Sequence, residues 1–215
     1  MKYRARKAYQ KKEVVEIYDK KRFTTFKGRL TDKKEKYLID KALRYAGINP
    51  PATILDIPCG TGRLSTHLAQ KGFKVKSADL SQEMILYTRK KLKALNLANK
   101  VIVEVGDAEC LSYPDNSFDA CISLRLFGHT PPKIREKILE ELKRVVKKYL
   151  IVVYYHKDCL QYFLRRRWRE EQGIEWYPVG FKQMKRELAD VGLKRIKSFF
   201  LAKGVSETVV VLAQK

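Results

Sequence analysis

The sequence has few cysteines and no long apolar run, and both shortages limit what the protein can be. Its four cysteines, Cys59, Cys110, Cys121 and Cys159, are widely spaced and form no Cys-x-x-Cys pair. This spacing disfavours a zinc site or a disulfide framework, so we predict no metal and a cytoplasmic chain with free thiols. No run reaches the roughly 18 apolar residues of a membrane-spanning helix. The basic N-terminus lacks an apolar stretch, and no signal peptide is predicted.

Acidic residues are also scarce, because 24 of them face 46 lysines and arginines and the formal net charge is +22. The excess predicts a polyanionic partner such as RNA, or an anionic lipid surface. A solvated, lysine-rich surface is the alternative, and the high charge also predicts a thermophilic source. The basic residues are concentrated in three segments, which are residues 2–12, residues 20–36, and the arginines 165, 166, 167 and 169 around Trp168.

The most informative segment is a predicted buried strand, residues 53–57, that runs into a glycine turn and then a helix over residues 63–71. Gly60 and Gly62 have no Cβ, so the backbone can take left-handed angles and a ligand can approach closely. Asp56 would repel phosphate but attract an ammonium group or ribose hydroxyls. A nicotinamide-binding turn needs Gly-x-Gly-x-x-Gly directly after the strand, and Gly60, Gly62 and Ser65 match it poorly.

The same segment, Asp56-Ile-Pro-Cys-Gly-Thr-Gly62, resembles motif I of the class I S-adenosylmethionine-dependent methyltransferases, with Pro58 in place of the first glycine. Two later segments, Gly106-Asp-Ala-Glu109 and Asp115-Asn-Ser-Phe-Asp119, resemble methyltransferases of the quinone-biosynthesis type. The resemblance implies S-adenosylmethionine as the cofactor. Its methionine end would be held by Asp56, Pro58, Cys59, Gly60 and Gly62.

Downstream residues fit the rest of such a cofactor. Asp79 ends the next predicted strand, residues 73–78, about 20 residues beyond the turn, where an acid can accept both ribose hydroxyls. Leu80 and Met84 are placed to flank an adenine ring. Asp107 can accept the adenine amino group, with Ala108 beside it.

The length predicts a single domain over residues 1–215, and the apolar patterns predict seven strands alternating with helices, an α/β fold. The resemblance implies that the strands form a Rossmann-like, mainly parallel sheet with an antiparallel C-terminal strand and helices on both faces. Residues 1–40 form a predicted cap, with helices at 14–18 and 37–43 around the segment 23–30. Residues 156–182 form a predicted substrate-side insertion that includes a helix over 158–171. The resemblance covers residues 40–155 well.

Candidates to contact the cofactor carboxylate or the acceptor come from the predicted cap and from the residues that follow the strands. The run Tyr18-Asp-x-x-Arg22-Phe23 resembles an entry segment that covers the cofactor, and Arg29 and Arg125 are candidates to meet its carboxylate. His129 and His156 follow the fourth and fifth strands, so both should open onto the cleft as a base or an orienting group.

The acceptor stays open at this stage. The motifs favour a small-molecule or lipid-like acceptor, which could be anionic, and the basic segments favour RNA. A basic module that binds the cofactor without turnover is a third alternative. Because motif detail is more specific than charge, we favour the small acceptor.

Overall fold

A computed structural model describes Gln10 and residues 12–215, and its centre is a seven-stranded sheet. The basic residues of the N-terminal leader, Lys2, Arg4, Arg6, Lys7 and Lys11, lie outside the described residues. The helices of the described part are α1 (Lys12–Phe23), α2 (Phe26–Tyr45), α3 (Arg63–Gln70), α4 (Gln82–Ala94), α5 (Pro132–Val145), α6 (Leu160–Glu171) and α7 (Phe181–Asp190). Short 3₁₀ turns span Ala98–Lys100 and Phe127–His129.

The sheet has the order β3-β2-β1-β4-β5-β7-β6. Its strands are β1 (Thr53–Asp56), β2 (Lys74–Asp79), β3 (Val101–Val105), β4 (Phe118–Ser123), β5 (Val146–Tyr155), β6 (Lys194–Phe200) and β7 (Thr208–Gln214). The first five strands pair in parallel, and β7 runs antiparallel to both β5 and β6. The predicted Rossmann-like fold with an antiparallel C-terminal strand is therefore confirmed. The single-domain organisation stays a prediction.

Apolar side chains fill both faces of the sheet. One cluster joins α2, α3 and α4 to the sheet through residues such as Ile39, Leu68 and Ile85. The other joins α5 and α7 through Leu142 and Leu188. Because both faces are covered, β5 and β7 are almost continuously apolar, as buried strands should be. Among the described residues, none of the helices combines the length and apolar character that crossing a bilayer requires.

The cap differs from its prediction. The segment 23–30 was expected to separate two short helices, but α2 already begins at Phe26 and continues to Tyr45. Thr25 makes this possible, because its hydroxyl accepts a hydrogen bond from Gly28 N at 3.1 Å and so caps the helix. The predicted helix at 14–18 likewise extends over Lys12–Phe23. In α2, exposed charged residues such as Lys33 and Lys34 carry no apolar pattern, so the sequence did not show that the helix begins as early as Phe26.

Candidate functional site

The turn after β1 is built around two glycines with left-handed backbone angles, Gly60 at φ +54° and Gly62 at φ +70°. A Cβ on Gly62 would lie 2.6 Å from the Thr88 side chain, so α3 and α4 can approach only because this residue is glycine. A Cβ on Gly60 would meet nothing within 4 Å. Gly60 therefore leaves its surroundings open for a ligand, whereas Gly62 allows the helices to pack.

Asp79 connects this turn to the start of α4. One carboxylate oxygen accepts a hydrogen bond from Gly60 N, and the other accepts one from Ser81 N, both at 2.9 Å. Burial raises the pKa of Asp79, and the two backbone donors oppose that rise. The carboxylate is thus held in one orientation, with lone pairs left on both oxygens.

Asp56 is buried at the end of β1, with 1% of its surface exposed. Its Oδ2 accepts a hydrogen bond from Ser65 Oγ at 2.6 Å, while Oδ1 has no hydrogen-bond partner among the described residues. Burial, together with the nearby Asp79, raises the pKa of Asp56 to about 7. A buried carboxylate oxygen without a donor is costly, so this atom is suited to a cationic or hydrogen-bonding ligand.

A cleft lies at the carboxyl ends of β1, β2 and β4 and brings most of the predicted residues together. Those that line it are Tyr18, Asp56, Pro58, Cys59, Gly60, Asp79, Leu80, Met84, Asp107, Ala108, Arg125 and His129. Gly62 shapes the turn without lining the cleft. Among the described residues, no group of histidine, cysteine or acidic side chains could hold a metal ion.

His156 does not open onto the cleft, contrary to the prediction. It is 1% exposed and its ring lies 4.8 Å from the Phe181 ring and 5.9 Å from the Phe200 ring. Its backbone pairs with Glu207 and Val179, so the chain before α7 covers this end of β5. Burial lowers the pKa of His156. The ring is part of an aromatic core and is not placed to act on a substrate in the cleft.

The structure also does not place Arg29 where the prediction expected it, at the cofactor carboxylate in the cleft. It lies in the first turns of α2, where the chain was expected to be irregular, and it is exposed and absent from the cleft. Two other arginines line the cleft in its place. Arg22 hydrogen-bonds the Tyr18 hydroxyl at 3.4 Å, and Arg63 lies at the start of α3.

Glu35 is a site residue that the sequence interpretation missed. It is fully buried in α2 and pairs with Arg125 at 2.7 Å and with Arg63 at 3.1 Å. The guanidinium groups of these arginines lie 4.0 Å (Arg63) and 5.2 Å (Arg125) from the ring centre of Phe23, and Arg63 also pairs with Asp32. A signal was available, since Glu35 precedes the apolar stripe of α2 at helical spacing.

Arg125 itself adopts a left-handed backbone conformation at φ +63°. Such a conformation is uncommon for a residue with a Cβ and persists when the surroundings hold it. The double contact with Glu35, through Nε at 3.2 Å and Nη2 at 2.7 Å, supplies that support. The guanidinium is therefore fixed at the rim of the cleft.

His129 lies on the other side of the cleft, against an aromatic group. Its ring is 4.9 Å from that of Trp176, which in turn lies 4.5 Å from that of Tyr155. Gly128 allows this approach, because a Cβ there would lie 2.6 Å from Tyr155 and 2.8 Å from Trp176. Burial, followed by the positive charge of Arg22, lowers the pKa of His129 to about 4. The imidazole is neutral at neutral pH and lies in a positive field.

A family model described as a methyltransferase domain matches residues 54–149. These residues contain most of β1 and most of the side chains that line the cleft. Residues 54–149 therefore form a methyltransferase domain of the class I S-adenosylmethionine-dependent type. The predicted recognition is thereby confirmed. The match covers the glycine turn, Asp79, the segment after β3 and Arg125, so the methyltransferase domain contains most of the residues that line the cleft.

Curated relatives of this methyltransferase domain carry different acceptor names. Norajmaline N-methyltransferase of Rauvolfia serpentina is 35% identical over 130 residues, covering 56% of this chain and 44% of that protein. The ubiquinone/menaquinone biosynthesis C-methyltransferase UbiE of Hydrogenovibrio crunogenus is 36% identical over 110 residues, covering 49% and 42%. The chain thus spans less than half the length of these relatives.

Solved structures share the fold over a larger part of the chain. The magnesium protoporphyrin IX methyltransferase of Synechocystis PCC 6803, solved with bound SAH, has a TM-score of 0.74 at 20% identity and covers 89% of this chain and 88% of its own. The PH0226 protein of Pyrococcus horikoshii has a TM-score of 0.73 at 21% identity, covering 89% and 92%. At these identities the similarity concerns the methyltransferase fold.

Proposed function

We propose that the protein transfers a methyl group from S-adenosylmethionine to a small acceptor that carries an anionic group. One observation carries the proposal. A single cleft extends from the buried carboxylates of Asp56 and Asp79 to the guanidinium groups of Arg22 and Arg125. Its two ends therefore have opposite charge, and each end suits a different molecule.

The acidic end fits the cofactor. The Oδ1 of Asp56, which has no hydrogen-bond partner in the described part of the chain, would accept a hydrogen bond from the ammonium group of the methionine end. Gly60 leaves room for that group to approach. Asp79 would bind the ribose hydroxyls through the lone pairs that its backbone donors do not use. Leu80 and Met84 would flank the adenine, and Asp107 with Ala108 would bind its polar edge. When bound, the cofactor supplies a methyl group on a positively charged sulfur.

The basic end fits an anionic acceptor. Arg22, Arg63 and Arg125 line it, and the charges of Arg22 and Arg125 contribute to the lowered pKa of His129. Burial and then the charge of Arg125 lower the pKa of Arg63 to about 10, so the positive charges of Arg63 and Arg125 repel each other. A carboxylate or phosphate on the acceptor would relieve that repulsion, and a guanidinium can bind either group with two hydrogen bonds.

His129 is best suited to orient the acceptor. A base works most efficiently when its pKa is near the working pH, and a pKa of about 4 leaves His129 a weak proton acceptor in the free protein. A neutral imidazole nevertheless accepts a hydrogen bond from a hydroxyl or amine, and can thereby aim its lone pair. An acceptor anion beside Arg22 would raise the pKa of His129 and strengthen this role.

The names of the relatives support a small acceptor. They are norajmaline N-methyltransferase and a C-methyltransferase of ubiquinone/menaquinone biosynthesis, and neither name refers to RNA. They methylate different atoms, so the atom methylated here is left open by the proposal. RNA transfer and cofactor binding without turnover are outcomes that the test below distinguishes.

The test is methyl transfer from labelled S-adenosylmethionine into a cell extract that is separated into RNA, lipids and small metabolites, the last by anion exchange. Label is expected in anionic small metabolites. The sequence interpretation placed Arg125 at the cofactor carboxylate, whereas the proposal assigns it to the acceptor. Arg125→Gln should therefore reduce the label at least tenfold while the affinity for S-adenosylhomocysteine is kept, because one charge-assisted contact contributes about 1.5–3 kcal/mol. A matching loss of affinity for S-adenosylhomocysteine would return Arg125 to the cofactor carboxylate. Arg186→Gln is the matched control, since Arg186 is an exposed arginine of α7 outside the cleft. Label in RNA, or cofactor binding without any label, would overturn the proposal.

A further inference from the structure

Helix α6 exposes its apolar side chains. Leu160, Phe163, Leu164 and Trp168 lie on one face, since their spacing is i, i+3, i+4 and i+8. Their exposed fractions are 54%, 57%, 72% and 54%. None of the residues of α6 is buried. An amphipathic helix on a protein surface normally turns this face to the core, so its orientation here requires an explanation.

Helix α6 meets the rest of the protein through polar contacts, and Tyr162 is half-buried on the same side. Arg169 pairs with the buried Glu207 at 3.0 Å, and the Gln161 side chain accepts a hydrogen bond from Glu207 N at 3.3 Å. The Arg169 guanidinium also lies 4.6 Å from the centre of the Trp176 ring, and its side chain is only 12% exposed. The polar side of α6 therefore faces the protein, and the apolar side faces outward.

The charge around the apolar face is positive. Arg166 and Arg167 are exposed, and the Arg166 guanidinium lies 5.7 Å from the Phe163 ring centre, so a cation borders the apolar side chains directly. Arg167 lies within the apolar face, seven residues after Leu160, and pairs there with the exposed Glu171 at 3.2 Å. The chain as a whole has a formal charge of +22. Apolar residues on one face with basic residues beside them form the pattern of helices that lie in the interface of an anionic membrane.

We propose that α6 docks the protein on an anionic lipid surface, with Leu160, Phe163, Leu164 and Trp168 entering the interface and Arg166 and Arg167 contacting lipid phosphates. RNA fits this face less well, because leucine side chains neither stack on bases nor bind phosphate. A second copy fits less well too. The 12-residue helix is about 18 Å long, and its apolar face is roughly 10 Å wide. The area of this face is therefore far smaller than the roughly 800 Å² that each partner buries in a stable complex.

Helix α6 is connected to the cleft through Trp176. Arg169 of α6 contacts Trp176, and Trp176 contacts His129 in the cleft. Docking by α6 would therefore bring the acceptor side of the cleft near the lipid surface. The proposal adds an interaction surface to the proposed function and does not depend on it, because vesicle binding requires no methyl transfer.

The experiment is co-sedimentation of the full chain with vesicles of phosphatidylcholine alone and of phosphatidylcholine mixed with phosphatidylserine. Binding is expected on the mixed vesicles, weakening with added salt. Phe163→Ser/Leu164→Ser and Arg166→Gln/Arg167→Gln should each lower the partition coefficient about tenfold or more.

Matched controls separate α6 from general surface effects. Leu86→Ser/Leu95→Ser removes two exposed leucines at α4, and Lys185→Gln/Arg186→Gln removes two cations from α7. Arg186 pairs with Asp190 four residues on, as Arg167 pairs with Glu171. Both controls should keep vesicle binding. All four variants should keep their affinity for S-adenosylhomocysteine, which reports the fold independently.

Four results would overturn the proposal. The first is no binding to mixed vesicles, and the second is an equal loss of binding in the control variants. The third is a self-association, measured by sedimentation velocity, that the α6 variants abolish, which would assign the face to a second copy. Tighter binding to single-stranded RNA than to vesicles, lost in Arg166→Gln/Arg167→Gln but kept in Phe163→Ser/Leu164→Ser, would equally count against it.

Discussion

The carboxylate of Glu35 holds the guanidinium of Arg125 at 2.7 Å, across 90 positions of the chain. The contact joins α2 of the cap to the loop after β4, and Arg63 of α3 meets the same carboxylate. One buried acid thus sets the position of two cations at the basic end of the cleft. Burial raises the pKa of Glu35, and the charge of Arg125 opposes that rise.

Glu35→Gln should lower the free energy of unfolding by about 3 kcal/mol, because removing one member of a buried ion pair leaves the other charge uncompensated. Urea denaturation measures this loss. Asp32→Asn is the matched control, since Asp32 pairs with Arg63 and Lys36 but is more exposed, and a loss of about 1 kcal/mol or less is expected. Equal losses in the two variants would contradict a special role for Glu35.

A double-mutant cycle tests the pair itself. Combined with Arg125→Met, Glu35→Gln should destabilise by less than the sum of the single changes, with a coupling of about 1–3 kcal/mol. Additive losses would mean that Glu35 stabilises the fold without positioning Arg125.

Asp79→Asn should weaken S-adenosylhomocysteine binding about a hundredfold, because an amide lacks the charge that strengthens the two hydrogen bonds to ribose. Titration calorimetry measures the affinity, and circular dichroism should show an unchanged fold. Asp158→Asn is the control, since Asp158 also accepts a backbone hydrogen bond, from Phe181 N at 2.9 Å, but lies outside the cleft. Unchanged affinity in Asp79→Asn would refute the ribose assignment.

The sequence was sufficient for the sheet and for the acidic end of the cleft. Both follow from local patterns, since a strand leads into a glycine turn and the next strand ends at Asp79. The basic end depends on contacts between distant segments. The burial of Glu35 follows from its helical spacing before the apolar stripe of α2. Its pairing with Arg125 depends on how the fold brings α2 to the loop after β4, which no local pattern records.

His156 shows the limit of the strand-end rule. The rule correctly places the residue at the edge of the sheet where the cleft lies, since His156 follows β5 directly. It does not show what covers that edge. The loop before α7 pairs with His156 through Val179, and α7 was not predicted because Met184 and Leu188 alone are its buried residues.

Binding of S-adenosylmethionine should release protons from Asp56 near neutral pH. The pKa of Asp56 is about 7 in the free protein, so the carboxyl is about half protonated at pH 7. A cationic ligand beside it favours the ionised form and should displace about half a proton. Calorimetry in buffers of different ionisation enthalpy measures the release.

Asp56→Asn should abolish this proton release. Asp119→Asn is the control, because Lys147 and the backbone N–H of Thr53 keep the pKa of Asp119 low and that side chain is ionised throughout. Proton uptake on binding, or a release that persists in Asp56→Asn, would show that another group titrates.

His129 should make the free protein less stable as the pH falls from about 6.5 towards 4. Its pKa is near 6.5 in the unfolded chain and about 4 in the folded one, so the unfolded state binds more protons in this range. The free energy of unfolding therefore rises with pH across the range, by about 3 kcal/mol from this residue, and the contribution is nearly complete above pH 6.5.

Urea denaturation at a series of pH values measures this slope, and His129→Gln should flatten it. His67→Gln should flatten it less, because Asp40 lies 2.9 Å from the His67 ring and favours its protonated form against the effect of burial. An anionic acceptor beside Arg22 should also reduce the slope in the wild-type protein by raising the pKa of His129 in the folded state. If the slope is the same in His129→Gln as in the wild type, the imidazole is not buried in a positive field, and its proposed role as a neutral orienting group fails with that result.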